Sequence, residues 1–184
     1  PGTETKIFFP FFLEKIGTVH EKKCKKHKEE LFRNLPDFKG PSGELKLLEI
    51  GTGGGHLHYE QFLVAAGEDL HQVPSGSVDA VVCTLVLCSV QNISGTLREV
   101  LRVLRPGGAF YFLEHVAAEH SSWRYFWQQV FYPTWKLVFA GCCLTRELWK
   151  NLEEAKFSEL KIQHISVALP WMPIEPHIVG YGVK

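Results

Sequence analysis

The chain has 184 residues, with 20 basic and 20 acidic side chains and a formal net charge of zero. Apolar residues make up 45% and charged residues 22%, the balance of a globular protein with a single core rather than of a disordered chain. Balanced charge gives no support for general nucleic-acid binding, and no run of eighteen apolar residues offers a membrane-crossing helix.

The sequence begins at Pro1, so a preceding N-terminal segment is expected. Phe8-Phe9-Pro10-Phe11-Phe12-Leu13 comes first, followed by Lys22, Lys23, Lys25, Lys26 and Lys28. Apolar then basic suits a membrane-proximal segment with its basic flank on the cytosolic side. It suits equally a helix that packs its aromatics on the domain and solvates its lysines. Residues 14–35, broken only by Gly17, predict a polar helix, and 36–43 a loop rich in Pro and Gly. Leu45–Ile50 reads as a buried strand running into Gly51-Thr52-Gly53-Gly54-Gly55. A second apolar run, Phe62–Ala66, leads to Gly67-Glu68-Asp69-Leu70.

Val78–Leu87 is the clearest central strand, and its near-continuous apolarity predicts burial on both faces, as in a parallel sheet. Leu97, Val100, Leu101 and Leu104 recur at helical spacing, and Pro106-Gly107-Gly108 ends that helix. Ala109–Leu113 is the next strand, closing on Glu114-His115. Trp123, Phe126, Trp127, Val130, Phe131 and Trp135 form an aromatic stripe interrupted at Pro133, read as core in preference to a cover over an apolar ligand. Thr145 is placed to cap a helix bearing Leu148, Leu152 and Ala155. Two late strands, Leu160–Ile165 and Ile178–Val183, joined by a proline-rich loop, predict an antiparallel pair at one edge of an open α/β sheet.

Cys24, Cys83, Cys88, Cys142 and Cys143 are odd in number and contain no CxxC pair, so their spacing gives no metal framework and no metal site is expected. They read as reduced, small buried hydrophobes in a cytosol-facing region. Adjacent Cys142 and Cys143 are taken as structural, because only Arg146 nearby is arranged to lower a thiol pKa.

The glycine loop is the first motif with chemistry. Glycines after a strand let the backbone turn tightly and approach a ligand, and open α/β sheets bind ligands beyond the carboxyl ends of their strands. The spacing E-x-G-x-G-x-G differs from the dinucleotide fingerprint and from the phosphate loop, which argues against a nicotinamide oxidoreductase and against triphosphate binding. Glu68-Asp69 just past a strand is suited to accept hydrogen bonds from an amine or ribose. The strand from Asp79, with its small-residue continuation to Val90, and Leu104-Arg105-Pro106-Gly107-Gly108 complete the set.

Together, in this order, these elements resemble the class I S-adenosylmethionine-dependent methyltransferases. From about residue 8 to the end the chain resembles a thiol-methylating branch, the methyltransferase-like seven proteins, forms A and B. The resemblance is carried by Val64–Asp69, Val82–Val90, Arg102–Phe112, Trp127-Gln128-Gln129-Val130, Leu144-Thr145-Arg146-Glu147 and Pro176-His177-Ile178. It implies a Rossmann-like α/β fold, mostly parallel with an antiparallel edge strand, and S-adenosylmethionine as cofactor. It implies methyl transfer to small alkyl thiols, and an N-terminal anchor on the endoplasmic reticulum and lipid droplets, facing the cytosol. By motif, Glu49, Gly51, Gly53 and Gly55 would wrap the cofactor's amino-acid portion. Glu68, Asp69 and Leu70 would lie by the adenine, and Thr84 and Leu85 would flank the sulfonium. Residues 1–40 would be the membrane-proximal helical segment and 41–184 the methyltransferase domain.

One stretch departs from that pattern. Only His56 to Gln61 separate Gly55 from Phe62, too few for a helix, a second strand and another helix. The resemblance implies a ribose-binding acidic residue there, and it has no counterpart. The domain is therefore expected to be truncated after the glycine loop, which opens the alternative of an inactive remnant serving as a membrane-surface or interaction protein. For the enzyme, alignment and desolvation supply most of the acceleration. His115 is the best-placed base to take the acceptor's proton, against the plainer reading of a structural histidine.

Overall fold

The sheet is built around two strands whose sequences alternate between two buried faces. The computed structural model describes residues 4–40, 43–51, 65–139, 141–168 and 174–184, and for 4–17 the backbone course alone. The strands are β1 (Leu47–Ile50), β2 (Val78–Thr84), β3 (Leu104–His115), β4 (Glu159–Ser166) and β5 (Pro176–Val183). They lie in the order β1-β2-β3-β5-β4. β1, β2 and β3 run parallel. β5 runs antiparallel to both β3 and β4, so the expected antiparallel pair closes one side, with the reversed strand inside it and β4 outermost.

Successive side chains of a strand point to opposite faces. Val81, Cys83, Phe110 and Phe112 enter one core with Leu97, Val100, Leu148 and Leu152. These partners come from α2 (Ile93–Val103) and α4 (Leu148–Glu154). Ala80, Val82, Tyr111 and Leu113 enter the other core, against Cys24, Leu31 and Phe38. That cover is α1 (Glu4–Leu31) and the 3₁₀ turn Phe32–Phe38 that continues it. The helix expected over 14–35 is thus longer at its start and tightens before Pro36, where a proline lacks the N–H that a regular helix would use.

Other boundaries shift for identifiable reasons. β1 was expected to be buried, yet all four of its residues are half-buried, because among the described residues it is the outermost parallel strand. β2 stops at Thr84, not Leu87: Leu85 adopts φ +57° and its N–H donates to the Leu113 carbonyl at 2.9 Å. Arg105–Gly108 is an excursion at the start of β3, where Val78 pairs with Leu104 and Ala80 with Ala109. Gly107 makes it possible with φ +72°, a conformation that side chains disfavour. α4 begins after Glu147, not Thr145, and no side chain caps it. The run Phe62–Ala66 falls mostly outside the described residues, and its last two residues, Ala65 and Ala66, are not strand.

Candidate active site

The parallel strands deliver three chain segments to one end of the sheet. β1 ends at Ile50-Gly51, β2 at Thr84-Leu85 and β3 at Glu114-His115, with Ile50 beside Cys83 and Thr84 beside Leu113. This carboxyl-end crevice is where an open α/β sheet binds its ligand. Gly51 is exposed and has φ +146°, and a Cβ there would meet Val86 Cγ2 at 3.0 Å. Backbone alone therefore lines that part of the crevice. Leu85 in left-handed conformation, unusual for a side-chain-bearing residue, sits at the same mouth. Glu49, Gly51, Thr84 and Leu85 are thus brought together. Gly53 and Gly55 lie outside the described residues.

Glu114, which the sequence places at the close of a strand, serves the neighbouring turn. Its fully buried carboxylate accepts from the N–H of Val86 at 2.9 Å, of Leu87 at 3.1 Å and of Cys88 at 3.4 Å. Burial pushes its pKa up, while the amides of Val86 and Leu87 pull it back. The turn after β2 has no ladder partners for these donors, and buried donors need acceptors. Arg146 holds the same turn by its carbonyls, donating to Leu87 O at 2.6 Å and Val90 O at 2.7 Å.

The Glu68–Leu70 group divides. Glu68 accepts from the N–H of Gln91 at 2.8 Å and of Asn92 at 3.0 Å, which lowers its pKa. Its carboxylate is therefore committed to the start of α2. Asp69 is exposed and bonds His71 at 2.9 Å. Leu70 is buried in the core, its N–H on Glu99 and its carbonyl on Arg102 of α2.

His115 is 3% exposed and its Nε2 lies 2.6 Å from the Cys142 sulfur. Its nearest proton partner is a protein thiol. The same sulfur accepts from Trp135 Nε1–H at 3.2 Å, and the Cys88 thiol completes the group. A hydrogen bond from Cys88, then the Trp135 donor, hold the Cys142 pKa below the usual thiol range despite burial. That same bond and burial push Cys88 up. The expectation that only Arg146 is arranged to lower a thiol pKa is therefore corrected: Arg146 serves carbonyls, and Cys88 and Trp135 serve Cys142.

The chain matches the methyltransferase domain family over residues 49–112, the span from β1 to β3 that forms this crevice. It is 52% identical to human thiol S-methyltransferase TMT1A, over 97% of this chain and 87% of that protein. It is 43% identical to human thiol S-methyltransferase TMT1B, over the same shares. The chain belongs to the thiol S-methyltransferase family. Solved structures bear out the fold. A Bacillus halodurans protein assigned as a methyltransferase superposes with TM-score 0.59 at 15% identity, covering 83% of this chain and 96% of that one. A SAM-dependent methyltransferase from Methanosarcina mazei gives 0.51 at 18% identity, covering 73% and 72%.

Within this family the chain is short. The match to the human relative runs over 212 residues, more than the 184 of the whole chain, so the relative holds an internal stretch with no counterpart here. This agrees with the shortening read after the glycine loop, a place outside the described residues.

The aromatic stripe of this thiol S-methyltransferase family member is not core. α3 (Trp123–Val138) runs on through Pro133 and turns Trp123, Phe126, Trp127, Val130 and Phe131 to the outside, with Trp123 69% exposed. Trp135 alone of the stripe is turned inward, toward Tyr132, Leu144 and Ile174. The inward anchor is Gln128, fully buried, which accepts from Ala118 N–H at 2.7 Å and donates to Val116 O at 3.1 Å. The strand ladder ends at His115, and this amide pairs the backbone groups left beyond it. Helical spacing alone gave no sign that a polar residue would choose the inner face.

Proposed function

We propose that the chain transfers the methyl group of S-adenosylmethionine to the sulfur of small alkyl thiols, working against a membrane surface on the cytosolic side of the endoplasmic reticulum or a lipid droplet. The identity to human thiol S-methyltransferases across 97% of the chain carries the reaction class. The resemblance of the motifs suggests the compartment.

The described crevice fits the cofactor where it can be tested: exposed Gly51 leaves backbone open to a ligand, and Glu49 beside it offers an acceptor for an amine. Glu49 and Gly51 would hold the amino-acid portion, with Gly53 and Gly55 continuing the loop, and Thr84 and Leu85 would flank the sulfonium. Asp69, exposed and paired with His71, would lie toward the adenine, with Glu68 and Leu70 beside it, tied to the start of α2 and to Glu99 of α2. When bound, S-adenosylmethionine supplies an electrophilic methyl group for in-line attack by sulfur. The protein's share is alignment and exclusion of water. Glu114 and Arg146 would serve the alignment by fixing the turn after β2 from both its N–H and its carbonyl groups.

The membrane reading is supported by the outward face of α3, where Trp123 stacks on Phe126 at 4.9 Å and Trp127 on Phe131 at 5.5 Å. An exposed Trp- and Phe-rich helix face suits burial at the headgroup boundary of a bilayer. The lysines of α1 suit anionic lipid. Among the described residues no helix is long and apolar enough to cross a membrane, so α3 would lie in the surface. Calorimetric titration of the chain with S-adenosylmethionine tests the enzymatic reading: micromolar binding, lost in Gly51→Val, is expected, and absence of binding would favour the inactive remnant.

A further inference from the structure

Three sequence-distant segments place two sulfurs and an imidazole in one buried group. Cys88 comes from the turn after β2, His115 is the last residue of β3, and Cys142 follows α3. One ligand atom from each lies within 4.8 Å of the other two. All three side chains are buried.

We propose that Cys88, His115 and Cys142 bind one thiophilic divalent cation of the zinc type. Two cysteines and a histidine are a donor set that zinc uses, and three protein ligands leave a fourth position for water or a small ligand. Two thiolates balance the charge of a divalent ion, which makes the bound group neutral and compatible with an apolar interior.

The backbone is arranged to keep the ligands together before any ion arrives. Cys143 N–H donates to Cys88 O at 2.9 Å, which ties the two cysteine segments directly. Glu114 and Arg146 fix the rest of the turn that carries Cys88. Trp135 Nε1–H on the Cys142 sulfur is the kind of outer contact that orients a thiolate ligand.

Ordinary hydrogen bonding accounts for only one of the two ring nitrogens of His115. His115 Nδ1 is buried and has no hydrogen-bond partner, and a buried polar atom left unpaired is a cost to the fold. A metal bond to the ring offsets such a cost. Ligation as two thiolates would release both thiol protons, one from Cys88 and one from Cys142, to solvent.

Cobalt(II) serves as the probe. The chain, stripped with chelator and reduced, is titrated with cobalt and read by its thiolate-to-metal absorption in the near ultraviolet. Zinc content is then measured on the reconstituted protein. One ion per chain is expected, with the band abolished in Cys88→Ser and Cys142→Ser and kept in Cys83→Ser and Cys143→Ser. Less than one tenth of an equivalent (on the order of adventitious metal), or a band indifferent to Cys88 and Cys142, would overturn the site. Should a serine variant fail to fold, the wild type decides: zinc must raise its melting temperature and chelator must reverse the rise. No shift counts against the site.

Discussion

His20 on α1 and His177 on β5 meet ring to ring, Nε2 to Nε2, at 2.9 Å. The contact has a direction. His177 Nδ1 lies 3.0 Å from the Glu175 carbonyl, which can only accept, so the proton sits on Nδ1 and Nε2 offers its lone pair. His20 therefore donates from Nε2, and its Nδ1 takes the Cys24 thiol at 3.6 Å. Both rings are neutral in this arrangement. A proton added to His177 Nε2 sets donor against donor across this contact.

The first prediction is acid sensitivity of the α1 attachment. Burial, then the charge of Lys28 and of His115, lowers the His20 pKa to about 4. Burial lowers His177 to about 3, against the Glu175 carbonyl that raises it, with His20, His115 and His27 adding to the fall. Between the ordinary value of 6.5 and these values the unfolded chain binds more protons than the folded one. Stability is therefore full above pH 6.5 and declines as pH falls toward 4. Thermal melts across that window should show the decline, and His20→Gln, which keeps a donor but does not titrate, should flatten it.

Arg105 and Asp79 form a second fixed point. Arg105 Nε donates to Asp79, and Arg105 Nη2 donates to Phe38 O at 2.9 Å. Asp79 also accepts from Lys46 N–H at 2.8 Å. The pair joins the 3₁₀ turn, the lead into β1 and the start of β3. Arg105→Met strands a nearly buried carboxylate and should destabilise by about 3 kcal/mol in denaturant unfolding. A change within experimental error would show that the Leu104–Gly108 motif is held by its backbone alone.

Glu114→Gln tests the turn after β2. The new amide can keep one acceptor toward Val86 and Leu87 but sets an NH₂ against the Cys88 N–H. A loss of roughly 1–2 kcal/mol is expected, together with faster amide exchange at 86–88. Glu114→Ala removes every acceptor and should lose more. Unchanged exchange in both variants would mean that Arg146 suffices.

The two faces of α3 should separate by experiment. Gln128→Leu removes both bonds to the Val116–Ala118 backbone and should destabilise by about 2 kcal/mol. Replacing Trp123, Phe126 and Trp127 with serine should leave the melting temperature nearly unchanged, because these side chains face outward. The same triple variant should lose cosedimentation with anionic lipid vesicles. Retained vesicle binding would remove α3 from the membrane contact.

Much of the fold was legible because the central strands carry their burial in their composition. Val78–Leu87 read as a strand buried on both faces and Ala109–Leu113 as the next strand; both form, the first ending early at Thr84. Gly51 and His115 were legible as strand ends, and parallel pairing brings them to the same end of the sheet as Thr84-Leu85, which the sequence placed within its strand. What the sequence could not show depends on contacts between distant segments. Gln128 goes inward because the chain after β3 leaves backbone groups unpaired, so the aromatic stripe is turned to the surface. Cys88 and Cys142 meet only after α3 returns to the turn beyond β2, and no local spacing announces it. Glu114 gave one signal that was available: a carboxylate at the end of an otherwise apolar strand needs donors, and the nearest are the amides of the neighbouring turn.

The most direct test of the central claim is product analysis. The purified chain is incubated with S-adenosylmethionine and a small alkyl thiol, and the methyl thioether is measured by mass spectrometry. The account predicts thioether formation that requires both substrates and falls at least about tenfold in Gly51→Val, the change expected when a transition-state contact worth ~1.4 kcal/mol is lost. A folded chain that forms no thioether would contradict it.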